Sequence, residues 1–155
     1  MRSLIAAWVI VMLVKATAER VAIIGAGCSG AAAAKILKTA PQVSLELFDR
    51  GKRPGGRCST RQDKRHGKNF SFDHGATYIR AKTPEFQSVI DELGLPKWPA
   101  KFGSLDYEIK DNSKFSLDET SDDIYCGSNG MDSIPKALME GCSATFGVTV
   151  SLQRD

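Results

Sequence analysis

The sequence holds only two histidines and four cysteines, and none sits in a Cys-x-x-Cys or His-x-x-x-His spacing, so nothing in it argues for a metal centre. Internal repeats and low-complexity linkers are missing, which excludes a solenoid or a string of tethered modules. An excess of one charge is missing too. With 21 basic and 18 acidic residues, the whole chain carries no electrostatic footprint for nucleic acid. At 155 residues there is room for at most one domain, with enough apolar content for a core. The apolar run at residues 4–14 is 11 residues long, too short to span a bilayer comfortably.

That run has a context of its own. Arg2 gives a short positive start, and Ala16-Thr17-Ala18 is a small-x-small cleavage site, so residues 1–18 have the layout of a secretory signal peptide. The rival reading is an uncleaved interfacial anchor. Cleavage after Ala18 leaves Glu19 and Arg20 directly before the first strand and lowers the net charge from +3 to +1, with 19 basic and 18 acidic residues remaining. The expected location is secreted or the lumen of the secretory pathway, with no stable membrane span. Asn69-Phe70-Ser71 is an N-glycosylation triplet compatible with that route.

The chain is organised around residues 20–34. Residues 21–24 read as a buried strand, followed by Gly25, Gly27 and Gly30 and then an alanine-rich helix. This is the spacing of a dinucleotide-binding turn. Gly25 permits the tight turn, Gly27 lets a pyrophosphate approach the backbone, and Gly30 lets helix and strand pack closely. The helix start offers free amides and a positive dipole end to phosphate. Glycines alone are weak evidence, because an ordinary βαβ unit that binds nothing also contains them. Here a second strand, residues 43–49, ends in Asp49, 19 residues after Gly30, where a carboxylate accepts the hydroxyls of an adenosine ribose. Cys28 lies inside this turn and Cys58 follows a Gly-Gly-Arg, both places where a disulfide would compete with ligand. Cys126 and Cys142 are left open as a pair.

Further along, the first helix is expected over residues 31–39, stopped by Pro41. Residues 50–61 form a turn-rich basic loop, and His66 and Gly67 mark a hairpin tip. Residues 70–79 read as a strand leading to a turn at Gly75. Thr83, Pro84 and Gly94 punctuate a helix whose apolar face is Phe86, Val89, Ile90 and Leu93, a packing pattern rather than a cofactor box. Residues 102–117 alternate around Asp111-Asn112 as a second hairpin. The carboxylates of residues 118–123 read as a solvated loop. A glycine turn and short helix follow over residues 127–141, and residues 148–152 read as a last strand.

After the βαβ unit comes Pro54-Gly55-Gly56-Arg57. Adjacent glycines let backbone run against a bulky cofactor, and Arg57 offers forked donors to phosphate or ribose oxygens. A plain NAD site does not require this second element, whereas an extended FAD passes it. In residues 21–30, in Leu47-Phe48-Asp49 and in the run from Gly55 to Arg61, the sequence resembles the FAD-dependent amine-oxidase superfamily. The Gly55–Arg61 run, Phe72-Asp73-His74-Gly75-Ala76-Thr77-Tyr78 and Gly130-Met131 resemble its renalase-like group. The likeness covers roughly residues 20–152 and is densest in 20–80.

The resemblance implies an α/β fold: a Rossmann-like FAD/NAD(P)-binding βαβ domain with an added β-hairpin and helix region, cut short relative to the family. Residues 19–155 would be the N-terminal part of a FAD-binding oxidoreductase domain, with residues 80–125 the start of a substrate domain. Gly25, Gly27, Cys28, Ser29 and Gly30 would meet the pyrophosphate. Asp49, a shorter acid than the family's glutamate, would hold the ribose beside Arg50. Gly56 and Arg57 would run along the FAD, and the Gly75-Ala76 backbone would approach the flavin ring. The implied reaction is hydride transfer from a small molecule to flavin, with O₂ as acceptor. A reduced nicotinamide is the substrate in a renalase-like reading, and an amine or a prenylcysteine thioether in another secreted FAD oxidase. A third alternative is a non-catalytic FAD-binding fragment. No catalytic residue is assigned. His74 beside Asp73 reads as structural more readily than as a base. Tyr78 lines the flavin pocket or fills the core. Trp98 reads as packing. The eight Lys/Arg of residues 50–68 belong in part to the FAD motif rather than to a nucleic-acid surface.

Overall fold

The computed structural model describes residues 19–65, 67–99, 103–106, 114–117 and 123–151. The segment read as a signal peptide lies outside them, as do His66, Phe102, the Asp111-Asn112 turn, residues 118–122 and Leu152. In chain order the elements are β1 (Glu19–Ile24), α1 (Cys28–Leu37), β2 (Val43–Asp49), a single 3-10 turn (Gly56–Cys58), β3 (Thr60–Arg65), β4 (Lys68–Asp73), β5 (Ile79–Arg80), α2 (Pro84–Glu92), β6 (Gly103–Asp106), β7 (Lys114–Leu117), β8 (Ile124–Tyr125), α3 (Ser133–Leu138) and β9 (Ser143–Phe146).

Parallel strands need a crossover, and α1 supplies it between β1 and β2. The two strands run in register from Glu19 opposite Val43 to Ile24 opposite Phe48. Period-2 alternation puts Ile23, Leu45 and Leu47 into one apolar cluster with Ala31 and Ala34 of α1. The alanines keep α1 thin, so α3 packs against it through Ile134 and Leu138 in the same cluster. The helix begins at Cys28 rather than Ala31, because Gly27 is an extended N-cap (φ −81°, ψ −177°) and helical bonding starts with Ala31 N donating to Gly27 O at 2.9 Å. It ends at Leu37. The Thr39 amide closes the last turn on Ile36 O, and Pro41 cannot continue it.

The sheet order is β1-β2-β9, all parallel. This corrects the expected strand over residues 148–152. The strand is Ser143–Phe146, paired with β2 from Glu46 opposite Ser143 to Asp49 opposite Phe146. Gly147, at φ +75°, ends it, and the amides of Gly147 and Val148 turn to Gly51 O and Asp49 O. Nor is β1 buried on both sides, as its apolar run implies. Among the described residues no strand pairs with its outer side, and Ile24 is 59% exposed.

Around this unit, β3 and β4 form a polar antiparallel hairpin with Gly67 at its tip. Asn69, in the glycosylation triplet, is exposed on β4. Thr83 caps α2 by accepting the Phe86 amide at 3.2 Å, Pro84 takes the first helical position, and Gly94 follows the end at φ +58°. The helix start also holds the exposed Glu85 carboxyl below its ordinary range, through the backbone amide first and the Thr83 hydroxyl second. An ion pair between Lys35 and Glu92 ties α1 to α2. β6 and β7 form the hairpin read from residues 102–117, and β5 pairs with β8. Among the described residues no helix is long and apolar enough to cross a membrane.

Leu47 is fully buried at the centre of the sheet. Leu47→Ala is expected to cost about 2–5 kcal/mol, while Thr83→Ala at the exposed cap costs about 1 kcal/mol. Urea unfolding of the two variants checks the order, and equal losses would contradict a core centred on β2.

Candidate functional site

The glycine turn is held from behind. Gly25 donates to Phe48 O at 2.7 Å, and the buried Ala26 amide donates to Asp49 Oδ2 at 2.6 Å. The other Asp49 oxygen accepts from Gly51 N, also at 2.6 Å. Asp49 therefore clamps the turn at the end of β1 to the turn at the end of β2. A carboxylate has about four acceptor positions, so two bonds leave capacity on each oxygen.

The glycines divide into two kinds. A Cβ on Gly30 would lie 1.9 Å from Gly25 O, so this residue is fixed by helix-to-strand packing. A Cβ on Gly27 would meet nothing nearer than Gly56 Cα at 3.7 Å. The protein's own packing would admit a Cβ there in ordinary contact. No side chain caps α1, so its first-turn amides have no intrahelical acceptor and face the turn.

The opposite wall is the diglycine segment. Gly55 N donates to Ala26 O at 3.0 Å, and Gly27 and Gly55 form an isolated parallel bridge. Arg57 sits in the 3-10 turn that follows, and its carbonyl accepts the Ala76 amide at 2.8 Å. The result is an open cavity of about 650 Å³. The structure brings Gly25, Gly27, Cys28, Ser29, Gly30, Gly56, Arg57, Gly75 and Ala76 together in its lining. Asp49 stands behind Ala26, and Arg50 is exposed beyond the end of β2; neither lines it.

Two features escaped the sequence reading. First, Cys28 Sγ lies 3.3 Å from Cys58 Sγ, with all four described cysteines free thiols. Burial pushes the Cys28 thiol up to about 12, with the Cys58 sulfur adding to the rise. Second, Thr60 Oγ1 donates to Asp73 Oδ1 at 2.6 Å, and the same oxygen accepts the Met131 amide at 2.9 Å. Thr60 Oγ1 in turn accepts the buried Asp132 amide at 3.1 Å, and Lys136 pairs with Asp132 at 2.7 Å. The motif runs around Thr60, Asp73 and Gly130-Met131 thus meet in one network. The residues were visible, but their pairing is non-local.

The remaining candidates separate. His74 is exposed in a smaller cavity of about 240 Å³ with Arg53 and Arg61. Tyr78 does not fill the core; it is 42% exposed, with the Arg80 guanidinium 5.7 Å from its ring centroid. Trp98 is 39% exposed, and its amide donates to Ile124 O. Asp123, the described member of the acidic stretch, pairs with Lys97 at 2.6 Å. Among the described residues no cluster of His, Cys, Asp or Glu could hold a metal ion. A second, apolar groove of about 810 Å³ lies between α1 and α2, lined by Ile36, Phe86, Val89 and Leu93.

Residues 23–93 match the family model of the NAD(P)-binding Rossmann-like domain, and the fold is Rossmann-like. No curated protein matches the chain. Among solved structures, a putrescine oxidase redesigned in its cofactor binding is 29% identical, over 61% of this chain and 20% of its own, with a TM-score of 0.45. Wild-type putrescine oxidase bound to putrescine is 27% identical, over 63% and 22%, with a TM-score of 0.45. An Exiguobacterium protein assigned as a protoporphyrinogen oxidase is 25% identical, over 56% and 19%, with a TM-score of 0.41. The chain spans about a fifth of the length of these structures.

The Cys28 shift has a measurable sign. Folding favours the thiol, so its contribution is full below the ordinary value of 9.0 and is lost as pH rises from there to about 12. In the reduced chain, alkylation of Cys28 is expected to stay slow at pH 9 and to climb toward pH 12, with the break returning to about 9 in urea. Peptide mapping after timed alkylation reads it; a folded-state break at 9 would contradict the burial.

Proposed function

We propose that the chain is the cofactor-binding N-terminal part of a FAD-dependent oxidoreductase of the amine-oxidase type, renalase-like, that oxidises a small molecule with O₂ as acceptor. The single observation that carries this reading is a glycine, Gly27, in the cavity lining where the chain's own packing would accept a side chain. Packing alone forbids a side chain at Gly30, whereas a Cβ on Gly27 would sit in ordinary contact with Gly56 Cα at 3.7 Å, so the fold by itself does not require glycine there. A bare backbone at Gly27 in the cavity lining suits a group that must approach the chain closely. The second wall favours FAD over a plain nicotinamide dinucleotide, because the Gly55–Arg57 element, which a plain dinucleotide site does not require, lines the same cavity as the first glycine turn.

The residues present fit that cofactor. The first-turn amides of α1 and the Gly27 backbone would hold the pyrophosphate without a lysine, using the helix dipole. Asp49 already orders the turn through Ala26 and Gly51, and its spare acceptor positions suit ribose hydroxyls, with Arg50 beside it. Arg57 lines the cavity and can donate to phosphate or ribose oxygens. The Gly75-Ala76 backbone, held on Arg57 O, would lie toward the ring. When bound, the flavin supplies hydride acceptance and electron delivery to O₂.

Residues 1–18 are proposed as a signal peptide that sends the protein to the secretory lumen or outside the cell, and residues 80–125 as the beginning of a substrate domain. The substrate class that goes with the renalase-like reading is a reduced nicotinamide.

Gly27→Ala is expected to fold as the wild type, since its Cβ has no contact under 3.7 Å, yet to bind FAD at least about tenfold more weakly, a loss of about 1.4 kcal/mol. Gly27→Glu is expected to abolish uptake by adding bulk and like charge. Gly30→Ala is expected to fail in folding first. Circular dichroism with FAD and NAD⁺ titrations reads all three, and a folded wild-type chain that refuses added FAD overturns the proposal.

A further inference from the structure

Cys28 and Cys58 are neighbours for a reason that does not depend on which nucleotide the cavity holds. Each follows one side of the same backbone contact: Cys28 comes directly after Gly27, and Cys58 lies three residues beyond Gly55, in the 3-10 turn that Gly55 caps. The Gly27–Gly55 bridge, the Gly55-to-Ala26 bond at 3.0 Å, and the Cys58 amide donating to Gly55 O at 2.9 Å hold both chains in place. The sulfurs are already 3.3 Å apart, and a disulfide needs them at about 2.05 Å. Closure asks for a movement of about an ångström at the side-chain tips, within what a cysteine rotamer adjusts. Both sulfur-bearing residues also line both large cavities, the glycine-lined one and the apolar groove beside α1. They form the wall between the two, so a bond here would staple that wall.

We propose that Cys28 and Cys58 form a disulfide that staples the glycine turn to the diglycine turn, made by exchange with a small-molecule disulfide such as oxidised glutathione. One thiolate of the pair attacks the small disulfide, forming a mixed disulfide and releasing one small thiolate, which takes up a proton. The second cysteine, as thiolate, then attacks the protein-bound sulfur and displaces the other small thiol. Two S–H bonds are lost from the protein and one S–S bond is formed; the small disulfide is reduced to two thiols, which carry away both protons. The protonated state of Cys28 in the folded chain makes this exchange slow at neutral pH once folding is complete. The bond therefore forms as the chain folds, while both thiols are open to solvent.

The test uses the wild-type whole chain. It is reduced and unfolded, refolded in a buffer of reduced and oxidised glutathione, acid-quenched and mapped by non-reducing peptide mass spectrometry. In parallel, soluble chain purified under reducing conditions is treated with oxidised glutathione at pH 7 and at pH 10. The expected result is a cross-linked peptide pair joining Cys28 to Cys58, a fall from four free thiols to two, and much faster closure at pH 10 than at pH 7 in the folded sample. Free thiols at both positions, stable glutathione adducts on either, or a Cys126–Cys142 link with Cys28 and Cys58 left free would each overturn the proposal.

Discussion

Two turns that touch through bare backbone govern this structure. Gly27 and Gly55 form a backbone bridge, and the Gly55 amide bonds directly to Ala26 O. Everything that makes the cavity follows from that contact. It sets the distance between the start of α1 and the diglycine wall, and the 3-10 turn that follows brings Arg57 into the cavity lining. Asp49, at the end of β2, stands behind the turn, where its two oxygens hold the amides of Ala26 and Gly51. A hydrogen bond to a charged acceptor is worth about 1.5–3 kcal/mol, so the clamp is stronger than the turn's neutral backbone bonds.

The second closure works at the far end of the diglycine segment. Thr60 and Asp73 close the base of the β3–β4 hairpin, and the same two side chains accept the first amides before α3. The hairpin, exposed along most of its described length, is thus fixed at its root. Because α3 packs on α1, the network also couples the hairpin base to the helix whose N-terminus faces the cavity. The added elements are not appendages; they share the core that positions the glycine turn.

How much of this was legible follows from how local each signal is. β2 was read to the residue, because alternation and Asp49 mark both its ends. The capping of α2 was equally readable, since Thr83, Pro84 and Gly94 act within a few residues of themselves. β9 was missed because Ser143-Ala144-Thr145-Phe146 is too short and too polar to show a pattern, and only its pairing with β2 makes it a strand. The cavity lining was legible as a set, because each of its motifs has its own glycine signature. The sulfur contact and the Thr60–Asp73–Met131 network were not, because both join segments far apart in the chain.

One consequence of the sheet order concerns the behaviour of the isolated protein. Among the described residues nothing pairs with the outer edge of β1, and its residues Val21 to Ile24 are apolar. An edge of this kind displays a row of unused donors and acceptors beside greasy side chains, and neighbouring molecules can add to it as extra strands. The charged pair Glu19 and Arg20 guards only its first two positions. Concentrated solutions of this chain should therefore be prone to strand-to-strand association, beginning at the element on which the nucleotide turn is mounted.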